Sequence, residues 1–499
     1  MTRTLLLGLD IGSSSIKASL VDADSGELVV SASSPEQEMS ISSPRVGWAE
    51  QDPTVWWQHV VTAVQRMTGK LTQVPSRVQA IGISYQMHGL VVLDKDRRVI
   101  HPAIIWCDSR AVEIGNKAFS ELGPEYCLSS LLNTPGNFTA SKLKWVKDNL
   151  PRVFERVFTI MLPGDYIALR LTGEANTTVS GLSEGILWDF KKKALAERLI
   201  GHYGFDRSLI PAIAPTFGDQ GSLTPEAASE LGLEPGIPVS YRAGDQPNNA
   251  LSLNVLLPGE IAATAGTSGV IYGVTDADIS DPGGRVNTFA HVNYTPSKPN
   301  KGVLLCINGT GIQYSWLRHH ILEDRHSYDE MNALAAAVGI GSGGLFCHPF
   351  GNGAERSLGN KEIFASFSGI NFNLHRKEHL IRAAQEGIAF SFRYGLDVMR
   401  ESGMTFHVVR AGNTNLFQSP VFREAFVNTC QVNLELYNTD GSQGAARGAG
   451  LGSKYYSSPA EAFRGLKVIL THKPDAQILE KYQSTFKRWK KQLDDILLR

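Results

Sequence analysis

The chain has no cysteine framework. Its five cysteines, Cys107, Cys127, Cys306, Cys347 and Cys430, are odd in number, scattered and without any CxxC spacing. That excludes a disulfide scaffold or a zinc site and points to reduced thiols in a cytoplasmic protein. Long apolar runs are missing too: Leu5-Leu6-Leu7-Gly8-Leu9 is interrupted at Asp10. No segment approaches the roughly 20 residues of a membrane span, so neither a signal peptide nor a membrane partner is expected. Charge of one sign is lacking, since Lys+Arg 48 against Asp+Glu 49 leaves a net charge of -1. Without a basic stripe to displace counterions, nucleic acid is excluded as a partner. The basic residues Lys487, Arg488, Lys490 and Lys491 interleave with Trp489 and Leu493, as on the solvated face of an amphipathic helix. His101, His202, His291, His319 and His320 have no metal-ligand spacing, and neither a Walker A motif nor a protein-kinase glycine loop occurs.

What is present is the composition of a globular protein, 42% apolar and 19% charged over 499 residues. That length exceeds one ordinary core and predicts two domains, 1–250 and 251–499, with the break near Asn249 to Gly259. The opening residues predict strands over Leu5–Ile11, Ile16–Val21 and Leu28–Ser31, joined by Gly12-Ser13-Ser14-Ser15 and by Asp22 to Gly26. Asp52-Pro53 supplies an N-cap and first-turn proline for a helix carrying Trp56, Trp57, Val60, Val61 and Val64. A strand at Ala80–Ser84, the loop Gln86-Met87-His88-Gly89 and a strand at Leu90–Asp94 follow, an alternation that indicates α/β. The chain also repeats weakly. Without gaps, Gly12 falls on Gly266, Ser14 on Ser268 and Asp22 on Asp276, so that Ile16–Leu20 lies over Val270–Val274.

A Gly/Ser turn between strands can bring backbone N–H groups and hydroxyls close to phosphate oxygens. On its own such a turn more often serves only as a hairpin. Two of them at equivalent places, Gly12 to Ser15 and Gly266 to Gly269, suggest a nucleotide gripped from both sides. Asp10 immediately precedes the first turn, where a carboxylate beside phosphates implies a divalent cation between them, magnesium held through water. Lys17 could balance charge there.

These segments resemble the FGGY carbohydrate kinases, within the larger actin, Hsp70 and sugar-kinase fold. Gly8-Leu9-Asp10-Ile11-Gly12-Ser13-Ser14-Ser15-Ile16-Lys17 is similar to the family's first phosphate motif, and Thr264-Ala265-Gly266-Thr267-Ser268-Gly269 to its second. The likeness runs through Trp48 to Pro53, Gln86 to Gly89, Ile105-Trp106 with Asp108 and Arg110, Leu162 to Glu174, Ala243-Gly244-Asp245-Gln246, Ala411-Gly412-Asn413 and Gly444-Ala445-Ala446. It implies two actin-like (ribonuclease H-like) ATPase domains with a cleft between them, binding ATP and Mg2+. It further implies that Gly12, Ser13, Ser14, Lys17, Gly266, Thr267 and Ser268 surround the phosphates, with Thr267 near the transferring group. Gly309, Gln313, Gly412 and Asn413 would line the adenosine site. Asp245 would be the catalytic base and, with Asp10, hold the metal. The Gln-Met-His-Gly loop is similar to that of the family's xylulose-phosphorylating members, so Met87 and His88 would meet the sugar, joined by Asp245, Gln246, Asp108, Arg110 and Asn137.

The expected acceptor is therefore a ketopentose, D-xylulose first. Ribulose, a pentitol, erythritol or gluconate stand as alternatives within the family, and a non-catalytic ATPase or binding protein as one outside its chemistry. A homodimer is compatible with this reading. The chain departs from the family in Ala411-Gly412-Asn413 where a glycine triplet is usual, in Asn176-Thr177-Thr178-Val179-Ser180, which lacks aspartate, and in Gln246 after Asp245.

Overall fold

Leu5 to Ile11 carries apolar residues at most positions, a pattern suited to a strand covered on both faces rather than one. The computed structural model, which describes residues 4–71 and 78–498, places this strand, β1 (Leu5–Ile11), at the centre of a five-stranded sheet. β2 (Ile16–Asp22) and β3 (Leu28–Ser34) continue it as the expected antiparallel meander. β4 (Val78–Tyr85) and β5 (Val239–Gly244) lie parallel on its other side, giving the order β5-β4-β1-β2-β3. Helix α1 (Pro53–Thr68) begins where expected: Asp52 accepts a hydrogen bond from the Thr54 N–H at 2.9 Å, with Pro53 in the first turn. It buries Trp56, Val60, Ala63 and Val64 under the sheet. Three further helices of this lobe carry residues of the cleft: α2 (Thr139–Asn149), α3 (Val179–Glu184) and α4 (Asp245–Ser252).

The second half repeats the device. β6 (Ile261–Ala265) and β7 (Gly269–Thr275) form the hairpin that the ungapped repeat aligned with β1 and β2. Edge strand β8 (Asn287–Ala290), β9 (Lys301–Ile307), β10 (Val408–Gly412), β11 (Asn433–Tyr437) and β12 (Val468–His472) complete a sheet of order β8-β9-β7-β6-β10-β11-β12. Its middle, β9-β7-β6-β10-β11, has the connectivity and strand directions of the first sheet, so the repeat is structural. Helices α5 (Gly311–Trp316) and α6 (Lys377–Glu401) pack on this lobe, and the expected basic C-terminal helix closes over Trp489 and Leu493, both fully buried.

One helix crosses between the halves. α7 (Gly441–Gly452) follows the second lobe's β11 but lies on the first lobe's β1, β4 and β5. Its sequence, Gly-Ser-Gln-Gly-Ala-Ala-Arg-Gly-Ala-Gly-Leu-Gly, is poor in intrinsic helix preference, each glycine being worse than alanine by about 1 kcal/mol. Close approach offsets this. A Cβ on Gly8 would lie 1.8 Å from the Ser442 carbonyl oxygen, and one on Gly82 would lie 2.0 Å from that of Ala445. The last helix is α8 (Ala476–Leu497); among the described residues none is long and apolar enough to cross a membrane.

Candidate active site

Both Gly/Ser turns stand at the ends of paired strands, and in both the carbonyl oxygens, which would repel a phosphate, are tied back into the protein. In the first, Ser13 O accepts from Gln51 Nε2 at 2.8 Å and Ser14 O from the Met39 N–H at 2.8 Å. In the second, Gly266 O accepts from the Gly311 N–H at 2.9 Å and Thr267 O from the Ile312 N–H at 3.0 Å, with Thr310 Oγ1 donating at 3.2 Å to each. Helix α5 thus starts against the second turn.

Strand register brings the acidic groups together. Asp10 pairs with Lys17 on one side and Ser84 on the other, and Ser84 pairs with Ala243, two residues before Asp245 at the head of α4. Burial raises the Asp10 carboxyl above its ordinary range, and the Asp440 charge adds to this. Asp245 is pushed up to about 7, first by burial and then by the Asp10 charge. Lys17, expected at the phosphates, donates to Asp440 Oδ2 at 2.8 Å. Asp440 also caps α7 through Gln443 N at 3.0 Å; although burial works against it, Lys17 and these hydrogen bonds hold its carboxyl below the usual range.

The Gln86–Gly89 loop, expected to meet the acceptor, is lodged in an apolar seam between the lobes that includes Met87, Leu182, Tyr272 and Phe289. His88 adopts φ 61°. Its Nδ1 lies 3.0 Å from the Glu184 carbonyl oxygen, which only accepts, so Nδ1 carries the proton and Nε2 is left as an acceptor. Burial, reinforced by the Lys142 charge, lowers the His88 pKa to about 3, so the ring is neutral. It packs against Phe138 of the first lobe and Phe289 of the second at 4.9 and 5.2 Å. Lys142 of α2, itself fully buried, donates to the carbonyls of His88 and Ile105 at 2.9 Å each.

The remaining expected acceptor residues divide into two groups. Gln246 Nε2 donates to Asp245 Oδ2 at 3.1 Å, while Gln246 Oε1 and Asn137 Oδ1 are buried with no partner among the described residues. Asp108 and Arg110 meet each other instead, Nη2 to Oδ2 at 2.7 Å. Asp108 also accepts from the Ala49 N–H at 2.6 Å, and Arg110 reaches Glu50 at 2.8 Å beneath the Trp48 ring at 3.8 Å. This ion-pair network braces the segment that presents Gln51 to the first turn.

Beside the second turn opens a cavity of about 370 Å3, lined by Gly266, Thr267, Ile312, Tyr328, Asn415 and Gln418 among others. Of the residues expected at adenosine, none of Gly309, Gln313, Gly412 and Asn413 is in that lining. A Cβ on Gly309 would sit 1.5 Å from Pro349 O, so this glycine answers to packing. Gln313 is buried with Nε2 3.5 Å from Cys347 Sγ, and the Asn413 N–H donates to Tyr437 O at 3.1 Å. Their near neighbours, Ile312 and Asn415, form the wall.

A fold with two phosphate-type hairpins, an acidic pair and a polar loop in one cleft invites comparison with known proteins. The model of the N-terminal domain of the FGGY family of carbohydrate kinases matches residues 5–252, and that of its C-terminal domain residues 261–451. The chain belongs to the FGGY family of carbohydrate kinases. The xylulose kinase of Bacillus subtilis is 27% identical over 488 residues, 97% of this chain and 96% of that one. The crystal structure of xylulose kinase from Rhodospirillum rubrum matches with a TM-score of 0.85 at 25% identity, covering 99% and 100% of the two chains. That of gluconate kinase from Lactobacillus acidophilus shares the fold, with a TM-score of 0.87 at 21% identity over 99% of each.

This FGGY kinase is thus a sugar kinase, and its cleft holds residues that the sequence motifs did not single out. Phe289 of the second lobe packs on His88, and Arg356, also of the second lobe, lies 5.8 Å over the Phe138 ring and bonds to Asn287. Trp106, half exposed, donates to Ser13 Oγ at 3.3 Å. Glu184 lies behind Met87; its one signal in the sequence is a carboxylate inside the otherwise small and apolar run Val179 to Leu187. Among the described residues no three His, Cys, Asp or Glu side chains form a metal cage. Asp10 and Asp245, two carboxyls made less acidic by burial, and in Asp245 by the charge of Asp10, fit the lighter demand of magnesium, which keeps water and binds through one or two carboxylates and phosphate oxygens.

Proposed function

We propose that this kinase transfers the γ-phosphate of ATP to a hydroxyl of a ketopentose, D-xylulose foremost, yielding D-xylulose 5-phosphate and ADP. The observation that carries the reading is Asp245: it heads α4 next to Gly244, against which Met87 packs, and its carboxyl is poised near neutrality, at about 7. A general base is most effective when its pKa lies near the working pH. The acceptor oxygen forms its bond to the γ-phosphorus, the bond from phosphorus to the β–γ bridging oxygen breaks with its electron pair leaving on ADP, and the hydroxyl proton passes to Asp245. Magnesium, held by Asp10 and Asp245, would supply neutralisation of the phosphate charge.

The nucleotide would lie with its phosphates at the two turns and its base in the cavity of Ile312, Tyr328 and Asn415. Neutral His88 would accept from a sugar hydroxyl through Nε2, while Met87 covers the apolar edge of the sugar. The name carried by the Bacillus relative supports D-xylulose, as does the Gln-Met-His-Gly loop. Five free thiols suit the cytoplasm. An ADP-coupled assay over D-xylulose, D- and L-ribulose, xylitol, erythritol, glycerol and gluconate tests this. D-xylulose should give the highest kcat/KM; if it ranks last the substrate assignment fails, and if no acceptor yields ADP the kinase reading fails.

A further inference from the structure

Glu184 ends helix α3 with 0% of its surface exposed, and neither carboxyl oxygen has a hydrogen-bond partner among the described residues. Two donors, the Tyr85 hydroxyl and the His88 backbone N–H, lie close enough to favour its charged form, but neither meets the distance and angle of a full hydrogen bond. The nearby buried cation, Arg242, faces Asp165 through Nε at 3.0 Å and donates from Nη2 to Asn176 Oδ1 at 2.8 Å, while its Nη1 has no partner among the described residues. Leaving a buried polar group unpaired costs about 1–3 kcal/mol, and groups so left in native proteins call for an explanation. The position supplies one. Glu184 Oε2 lies 2.6 Å from the point a Cβ on Gly244 would occupy, and Met87 Cγ lies 2.5 Å from the same point. Gly244 leads into Asp245, and the Glu184 carbonyl orients His88. The carboxyl therefore sits directly behind the three residues that would meet the acceptor. Met87, a flexible thioether, packs at the same point and can shift to admit a hydroxyl there.

Resting on the reading of this cleft as the acceptor site, we infer that Glu184 is a specificity-determining residue whose carboxyl completes its hydrogen bonding with a hydroxyl of the bound acceptor. Burial raises its pKa well above the ordinary value; the Tyr85 hydroxyl and the His88 N–H work against this and the charges of Asp245 and Asp165 add to it, and a carboxyl that keeps its proton can both donate and accept. The groups facing it are Tyr85, Asp165, Arg242, Asp245 and Tyr272. All but Arg242 are carboxyl or phenol groups that would resist a further negative charge. The site therefore takes an uncharged polyol or ketose and disfavours an aldonate such as gluconate.

The test is titration calorimetry of D-xylulose and gluconate into nucleotide-free protein, with steady-state kinetics and thermal melts, on the wild type, E184A and E184Q. Loss of the hydroxyl contact should weaken D-xylulose at least about tenfold in E184A, in both Kd and KM, with the KM for ATP unchanged. E184Q, neutral and of the same shape, should stay within about threefold of wild type, because it can still donate and accept. Should E184A not fold, E184M fills the same volume without a polar group and carries the same expectation. Wild-type affinity in E184A or E184M overturns the inference, as does equal weakening in E184Q and E184A with a lowered melting temperature, or gluconate binding more tightly than D-xylulose. Wild-type protein that binds D-xylulose without forming ADP overturns the kinase reading instead, while leaving the contrast between E184A and E184Q to decide Glu184.

Discussion

Replacing Asp245 by asparagine tests the site through turnover and through stability at once. Folding moves this carboxyl from its ordinary 3.8 to about 7. At about 1.4 kcal/mol per pH unit, a rise of about three units corresponds to about 4 kcal/mol for a fully enclosed group, and partial solvent access reduces this to about 2 kcal/mol. A carboxyl whose pKa is raised by folding binds its proton more tightly in the folded chain, so wild-type stability falls as pH rises from about 4 to about 7 and then levels off. The amide introduced by Asp245→Asn does not titrate. The variant's advantage should therefore grow from nothing near pH 4 to about 2 kcal/mol above pH 7, read by thermal melts in nucleotide- and magnesium-free buffer. Turnover should fall roughly 10²–10⁴-fold while D-xylulose still binds. Near-normal turnover would remove the assignment of the base. A variant that melts lower than wild type at pH 8 would show a carboxylate retained for structure and refute the electrostatic reasoning.

Other perturbations follow from the same geometry. Gly8→Ala places a Cβ against the Ser442 carbonyl and must lift α7 from the sheet, destabilising by about 3 kcal/mol in a denaturant titration. Lys142→Met leaves the His88 carbonyl unpaired, while that of Ile105 keeps the Asp108 N–H, and so loosens the Gln86–Gly89 loop; the KM for D-xylulose should rise about tenfold while that for ATP stays put in steady-state assays. Tyr328→Ala removes a ring that stacks on Tyr314 at 5.7 Å in the wall of the cavity proposed for the base of the nucleotide; the KM for ATP should rise several-fold with no change for the acceptor.

How much of this was legible in the sequence depended on whether a signal was local. The hairpins were, because strand, Gly/Ser turn and strand are set by neighbouring residues, and the Gly12–Gly266 offset survived without a gap. The helix after Asp52-Pro53 was legible for the same reason. The destination of α7 was not: Gly441, Gly444, Gly448, Gly450 and Gly452 announce a close approach, but only the packed structure shows that they approach the other lobe's sheet. Asp108 and Arg110 illustrate a second limit, since two residues of opposite charge two positions apart can serve a ligand or each other, and burial against Trp48 settled them on each other. The residues expected at adenosine stand outside the cavity lining, Gln313 and Asn413 by one or two positions, and Gly309 and Gln313 answer to Pro349 and Cys347, contacts distant in sequence. Glu184 carried almost no signal, as nothing local says that its carboxyl ends up behind Met87 and beside Gly244.

The way the lobes are joined bears on how the cleft can close. On the acceptor side, first-lobe side chains stand in for a strand partner to β8: Asn133 exchanges bonds with Thr288 N and O at 3.0 and 2.6 Å. Farther along, Ser183 Oγ accepts from Ala290 N at 2.9 Å and Ser180 Oγ donates to Ala290 O at 3.2 Å. Beneath the sheet, α7 presses on Gly8 and Gly82 too tightly to slide. A motion that separated the lobes at β8 would break those bonds, each worth about 1 kcal/mol net, and would pull Phe289 away from His88. A rotation whose axis ran through β8 and α7 would leave both intact and would move the second turn and the cavity beside it relative to Asp10. The loop expected to meet the sugar packs on β8 through His88 and Phe289, so closure about such an axis would reposition the phosphate while disturbing the acceptor little, as in-line transfer to a hydroxyl beside Asp245 would require.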